Sequence, residues 1–431
     1  MRSDVKWHDG QPFTADDVKY RFDRILDPAT NTRLRGDFSV ISDVQVIDPA
    51  TVHFSLKQPF APLPVFMSYT AGIVPKHILE GQDINTASDF NNKQPIGTGA
   101  FRIQEYVSGS HVTLAANPSY FRGRPKLDTL TYKIVPDLNS ITAQLNTGEL
   151  QFSVIQPSVF DEVSHISGFD VYPANLMNWM YVGPNLTNPI FQDKRVRQAM
   201  AYGIDRVSIS NAISQGMYTV SGGPIPPFLK PWHNDSIQPF PYDPDKAAAL
   251  FAEAGWTRGA DGNLAKDGQP LSFKFAWGKG PYVDDVAVLV LESLKKMGMD
   301  ATADAQEWNA YIKRFEDRDY EVLLDGWVAP YDPDVYSYFH SKAAKGGKNI
   351  TLYNNPEVDS LLEQGRAETD TTRRQDIYNR LQVILADDQP TVFLWHPPEL
   401  QARSQQITGF PPIALALGDL YDYADEFARV A

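Results

Sequence analysis

Along residues 271–339 the spacing of apolar positions switches repeatedly between two and about 3.6 residues, the two periods that separate strands from helices. Leu271, Phe273 and Phe275 alternate with Ser272 and Lys274 up to Trp277, which predicts a strand. From Asp284 onward Val286, Val290, Leu291 and Leu294 recur at helical spacing until Gly298 stops them. Residues 299–305 then read as a second strand, 308–317 as a helix with Tyr311, Ile312 and Phe315 on one face, and 321–327 as a third, apolar strand. The order β-α-β-α-β predicts a largely parallel, helix-covered sheet, in which ligands sit beyond the carboxyl ends of the strands. Trp277-Gly278-Lys279-Gly280 and the loop from Trp327 to Asp334 are therefore expected on one rim, facing one cleft.

The remaining chain carries the same kinds of signal. Thr14 followed by Asp16 and Asp17 is an N-terminal cap with acids in the first turn, ahead of Val18, Phe22, Ile25 and Leu26 on one helix face. Residues 44–47 and 51–56 read as strands around Asp48-Pro49-Ala50, and 101–106, 111–116, 129–135 and 151–155 as further strands, with a helix at 140–147. Residues 194–213 form a helical block in which Asp205 caps a second helix, and Asp243-Pro244 and Asn355-Pro356 each place proline at a first helical position. Ile377, Leu381, Ile384 and Leu385 continue an amphipathic helix towards Pro390. There is no internal repeat, and the 32 prolines are scattered, which suggests ordered loops in place of one flexible linker.

Length and charge narrow the function. A chain of 431 residues should hold two or three domains. Its 42% hydrophobic content and mean hydropathy of -0.34 describe a protein able to bury a large core. The net charge of -14, with no basic run or stripe, makes nucleic acid and anionic membrane poor partners. The absence of cysteine excludes disulfides, thiolate metal sites and cysteine nucleophiles. No apolar run reaches about 18 residues, and the first ten residues lack the apolar stretch of a signal peptide.

The search for catalytic motifs returns nothing. Gly97-Thr98-Gly99 has Arg102 where a dinucleotide fingerprint needs its third glycine, so a tight turn is the better reading. Gly346-Gly347-Lys348 lacks the rest of a phosphate loop, and no nucleophile elbow occurs. The eight histidines, His8 beside Asp9 included, show no metal-ligand spacing. Asp284 and Asp285, adjacent on a helix, read as solvated first-turn acids. Neither a metal nor a cofactor is expected.

Two tryptophans stand out as candidate ligand contacts. Trp327 and Trp395 each end an apolar strand-like run and meet a proline-bearing turn, where a side chain leaves the sheet; Trp395 reads equally well as core. Tyr331, Asp332 and Asp334 share the loop after Trp327, although one carboxylate could instead cap the following helix at 335–339.

Several separate stretches, taken in order, resemble the extracytoplasmic solute-binding proteins of the peptide/opine/nickel ABC-importer family. They are Val5-Lys6-Trp7-His8-Asp9-Gly10-Gln11-Pro12-Phe13-Thr14-Ala15-Asp16-Asp17-Val18, Pro95-Ile96-Gly97-Thr98-Gly99-Ala100-Phe101, Asn117-Pro118-Ser119-Tyr120-Phe121, Asp193-Lys194-Arg195-Val196-Arg197-Gln198-Ala199, Tyr242-Asp243-Pro244-Asp245-Lys246-Ala247, Gly326-Trp327 and Asn355-Pro356-Glu357-Val358-Asp359. The resemblance implies a monomeric, periplasmic or otherwise extracytoplasmic α/β protein of the two-lobed periplasmic-binding-protein fold (class II, large three-domain type), with mixed sheets flanked by helices. It implies a ligand cleft between lobes that closes on a small peptide-like or other polar organic solute, and delivery to an ABC-importer membrane permease, without catalysis. Residues 1–96 would be an extra domain on the first lobe, 97–182 with 396–431 the first-lobe core, and 183–395 the second lobe. With the crossings placed near 179–185 and 395–398, Asn178, Trp179 and Tyr181 join the candidate solute contacts.

The match also departs from the family pattern. Members usually carry an export signal and roughly a hundred residues before the segment matching Val5 to Val18, so this chain is expected to be truncated or translated from an internal start. Peptide-binding members place an Asp for the peptide ammonium three residues after the tryptophan, where this chain has Pro330. Trp327-Val328-Ala329-Pro330-Tyr331-Asp332-Pro333 is closer to the nickel-chelate and metallophore branch, yet the stretch corresponding to that branch's arginine, 66–72, has none. A chelate or oligosaccharide carrier is the alternative within the family, and a hydrolase the alternative outside it.

Overall fold

The computed structural model describes all residues except 33, 70, 281, 411–423 and 431. The chain divides into two compact units. One comprises Met1–Gln58, Leu63–Asn175 and Glu399–Ala431; the other comprises Leu176–Pro398 and the short excursion Pro59–Pro62. The division falls at 175/176, a few residues before the 182/183 suggested by the sequence, because strand Asn178–Pro184 pairs along its whole length with Val322–Val328 and over residues 180–182 with residues 392–395, all in the second unit. Residues 1–58 and 63–96 fall in the same unit as 97–175, and part of the 396–431 segment, 411–423, lies outside the described residues.

The first unit is built from small antiparallel sheets and short helices. Helix Ala15–Leu26 starts where the cap predicted it: the Thr14 N–H donates to Asp17 Oδ2 at 2.9 Å. Asp17 is buried because it also accepts the Lys76 N–H and the Trp7 indole N–H. Strands Ile41–Asp48 and Thr51–Leu56 form a hairpin, and Phe101–Val107, His111–Ala116 and Thr129–Lys133 a meander. Glu399–Ser404 pairs with Phe152–Ile155 on one side and Phe169–Ala174 on the other.

The second unit is organised around one six-stranded sheet. Its order is Asp300–Gln306, Ser272–Gly278, Val322–Val328, Asn178–Pro184, Val392–His396 and Thr219–Val220. Only the first three are parallel; the others run antiparallel to their neighbours. The sheet is thus mixed where the local alternation suggested a largely parallel one, because strands 178–184 and 392–396 arrive from distant chain and leave no trace in the 271–327 pattern.

Both faces of this sheet are covered. Met180 and Val182 join Val286, Val290 and Leu294 on one side, while Trp179 and Tyr181 join Val358, Leu362, Tyr378 and Leu381 on the other. A strand buried on both faces needs apolar residues without alternation, and every residue from Asn178 to Pro184 is buried. Each fully buried aliphatic side chain contributes about 1.5–3 kcal/mol. Substitutions in strand 178–184 therefore disturb two cores at once.

Candidate functional site

The rim beyond the carboxyl ends of strands 272–278, 300–306 and 322–328 is made by backbone that only small residues permit, and by aromatic side chains laid over it. At Gly278 a Cβ would stand 2.9 Å from Trp308 Cε3 and 3.0 Å from Tyr311 Cδ1, so the indole of Trp308 rests directly on the glycine. Trp308 opens helix Trp308–Asp317 and is 58% exposed. Val328, the last residue of its strand, is 52% exposed, and Trp327 is half-buried. Trp327 is held edge-on by Phe315 (centroids 5.6 Å apart) and Tyr338 (5.1 Å). Such contacts contribute about 0.5–1.5 kcal/mol each beyond area burial.

The strand does not end freely. The Ala329 N–H donates to Met177 O at 2.7 Å, extending the ladder by one rung, and the Tyr338 hydroxyl donates to Val328 O at 3.2 Å. The chain then turns inward, with Pro330, Asp332, Pro333 and Asp334 all buried and Tyr331 half-buried, 6.2 Å from Phe228.

Both loop carboxylates have partners. Asp332 receives both Nη groups of Arg374, at 2.6 and 2.9 Å, and the Asp334 N–H at 2.9 Å. Asp334 receives Arg366 Nε at 2.9 Å and the Tyr336 N–H at 3.1 Å. The N-cap of helix Tyr336–Phe339 is Val335, which makes no side-chain cap; Asp334 instead takes the N–H of the first helical residue, and Asp332 braces the turn before it. Burial pushes the Asp332 carboxyl up from the ordinary range, and the Arg374 fork opposes that push.

Asp325, seven residues earlier, has no such cation among the described residues. Protein packs around its carboxyl, which accepts the Gly326 N–H at 2.8 Å, and burial raises it to about 6 against the smaller pull of the Gly326 N–H and the Tyr311 hydroxyl.

The other residues singled out from sequence lie deeper. Trp395 is fully buried, and its indole N–H donates to Arg206 O at 2.9 Å, so of its two readings the structure places it in the core. Trp179 and Tyr181 are also fully buried, on the sheet face that carries Trp327; the Trp179 indole N–H and the Tyr181 hydroxyl have no hydrogen-bond partner among the described residues. Asn178 is buried opposite Val328 and donates from Nδ2 to Pro397 O at 2.8 Å. The structure brings Trp327, Tyr331, Asp332, Asp334, Trp179 and Asn178 to one end of the sheet and leaves Trp395 and Tyr181 inside it.

Four residues here escaped the sequence reading. Trp308 had a usable signal, since it stands at i, i+3, i+7 with Tyr311 and Phe315 and carries their aromatic face to the first residue of the helix. Arg366 and Arg374 had none, being 32 and 42 residues from their partners. His396 was equally silent: its Nδ1–H donates to Asn178 O, its Nε2 lies 2.9 Å from Ser221 Oγ, and burial depresses it to about 4. Two readings of polar residues can be refined. Asp284 is not a solvated acid, because it accepts the Trp277 indole N–H at 2.6 Å. His8 accepts the Gly97 N–H and donates to Gly99 O at 3.0 Å, bracing the glycine turn.

Comparison with known proteins agrees with this architecture. Residues 1–349 match the model of the bacterial extracellular solute-binding proteins, family 5, middle region. The chain is 32% identical over 418 residues to the oligopeptide-binding protein AppA of Bacillus subtilis, covering 95% of this chain and 77% of that protein. It is 27% identical to the dipeptide-binding protein of Escherichia coli, over 95% of this chain and 79% of the other. The structure of B. subtilis AppA in complex with a nonapeptide superposes with a TM-score of 0.88 at 31% identity, covering all of this chain and 86% of that one. NikZ of Campylobacter jejuni, in complex with Ni(L-His), superposes with a TM-score of 0.87 at 26% identity, covering all of this chain and 87% of the other. Fold and sequence together establish that this chain belongs to the bacterial extracellular solute-binding proteins of family 5, with their periplasmic-binding-protein fold.

Proposed function

We propose that the protein captures a peptide-like organic solute on the aromatic rim of its second unit and hands it to an ABC-importer permease outside the cytoplasm, performing no chemistry on it. The observation that carries this reading is the rim itself. A tryptophan lying on a glycine at the end of one strand, and a second tryptophan and an exposed valine at the end of its neighbour, offer planar and apolar contact where open α/β sheets bind ligands. The peptide class comes from the relatives, an oligopeptide-binding and a dipeptide-binding protein among them. Among the described residues no helix is long and apolar enough to cross a membrane.

A metal chelate is the second reading, favoured by the superposition on NikZ with its nickel-histidine ligand. Native mass spectrometry of the purified protein, followed by titration calorimetry with a peptide pool and with nickel-histidine, separates the two. Retained mass or heat with peptides supports the first reading, and heat with nickel-histidine alone replaces it. Release of peptide fragments during incubation would overturn the claim that the protein only binds.

A further inference from the structure

The loop after Trp327 places two carboxylates within seven residues of the aromatic rim, an arrangement suited to a cationic group on a solute. Neither is available. Arg374, on helix Thr371–Asp388, uses both Nη groups on Asp332 while its Nε–H donates to Gly365 O at 2.8 Å; the guanidinium packs over Trp232 (5.0 Å) and Tyr378 (5.3 Å). Arg366, on helix Pro356–Ala367, binds Asp334 and stacks 3.7 Å from the Tyr336 ring and 5.3 Å from Phe60. Both pairs are almost wholly shielded from solvent, so turning either carboxylate outward strands a buried guanidinium.

We infer that Arg366 and Arg374 are specificity-determining residues: by holding Asp332 and Asp334 inward they leave the loop beside the rim without a free carboxylate, so the solute is recognised there through an uncharged apolar or planar group and not through an ammonium. This rests on the proposed peptide-like solute. Two features support it independently. The large side chains that face solvent at the rim, Trp308 and Val328, are apolar. Beside Trp308, Glu307 and Lys279 form a solvent-exposed pair at 3.3 Å, so the two rim charges next to the indole offset each other. Each arginine also fixes the loop's shape, since Asp332 and Asp334 accept the N–H groups that define consecutive turns. Charge neutralisation and loop geometry are therefore one device.

The test uses the full chain and a random pool of tetra- to nonapeptides, synthesised once with free and once with acetylated amino termini, with dissociation constants read by calorimetry. Free and acetylated pools are expected to bind within about threefold of each other. A loss of about tenfold or more on acetylation overturns the inference while leaving the peptide reading intact; failure of both pools to bind overturns both. Arg374→Met supplies a second arm: with Asp332 released, the variant is expected to gain a preference of about tenfold for free amino termini, lost again in Arg374→Met/Asp332→Asn. No gain in a folded single variant counts against the inference. Should that variant fail to fold, the comparison of the two pools on the unmodified chain still decides.

Discussion

Asp325 and Asp332 lie seven residues apart, both largely enclosed by protein and both pushed up by burial, and they differ in the partner that opposes the push. Asp332 is locked into an arginine fork, whereas Asp325 has a backbone N–H and a nearby tyrosine but, among the described residues, no cation. Desolvation acts on both carboxyls, and the partner decides the outcome. Asp332 is also raised by burial, but the Arg374 fork opposes that push and holds the carboxyl in the turn it shapes. Asp325 is driven to about 6 and changes protonation near neutrality. A loop that must keep its shape is thus braced by ion pairs, while the strand leading into it carries a group whose charge is costly.

The most disruptive way to break this contrast is to give Asp332 the situation of Asp325. Arg374→Met leaves a buried carboxylate alone and is expected to cost about 3–5 kcal/mol of unfolding free energy in urea titration, most of it recovered when Asp332→Asn is added. Unequal cost alone would not damage the account, but a single variant as stable as its parent would.

His396 sharpens the comparison with a base. Its folded value of about 4 lies below the ordinary 6.5 because burial disfavours the cation, with smaller opposing pulls from the Asn178 and Gly223 backbone and a further push down from His233. The unfolded chain takes up the proton first, so its contribution is full above about 6.5 and is lost as pH falls towards 4, by about 3 kcal/mol at 1.36 per unit. Chemical denaturation at a series of pH values should show that slope reduced in His396→Gln.

Asp325 has the opposite sign. Its folded value exceeds the unfolded one, so its contribution is present below about 4 and lost as pH rises through about 6. Asp325→Asn is therefore expected to stabilise the protein by up to about 3 kcal/mol at pH 7.5 and by nothing at pH 4. A destabilised variant at pH 7.5 would mean that Asp325 has an unrecognised counter-charge. The smallest expected effect is on binding: Trp308→Ala and Trp327→Ala should each weaken the cognate solute by about 1 kcal/mol, close to fivefold, with melting otherwise cooperative. Unchanged affinity in both variants would move the contact surface elsewhere.

Much of the second unit was visible in one dimension. Helix 308–317 has the bounds its periodicity implied, and the Asn355-Pro356 start signal is a cap whose Asn355 side chain accepts two backbone N–H groups. The strand ending at Trp327 and Val328 was legible because an apolar run followed by proline is a local event. Trp395 shows the limit. Its run looked the same as that of Trp327, but a distant carbonyl, Arg206 O, takes its N–H and the core closes over it.

The sequence by itself determined the elements, their caps and the family, because period, capping and motif order act over a few residues or are written along the chain. Tertiary structure alone decided the charge of the candidate site. Whether Asp332 and Asp334 face a solute or the interior depends on Arg374 and Arg366, set on two later helices at 42 and 32 residues' remove. Burial makes that choice energetically binding, since a carboxylate that would be indifferent to its partner in water must keep it once water is gone.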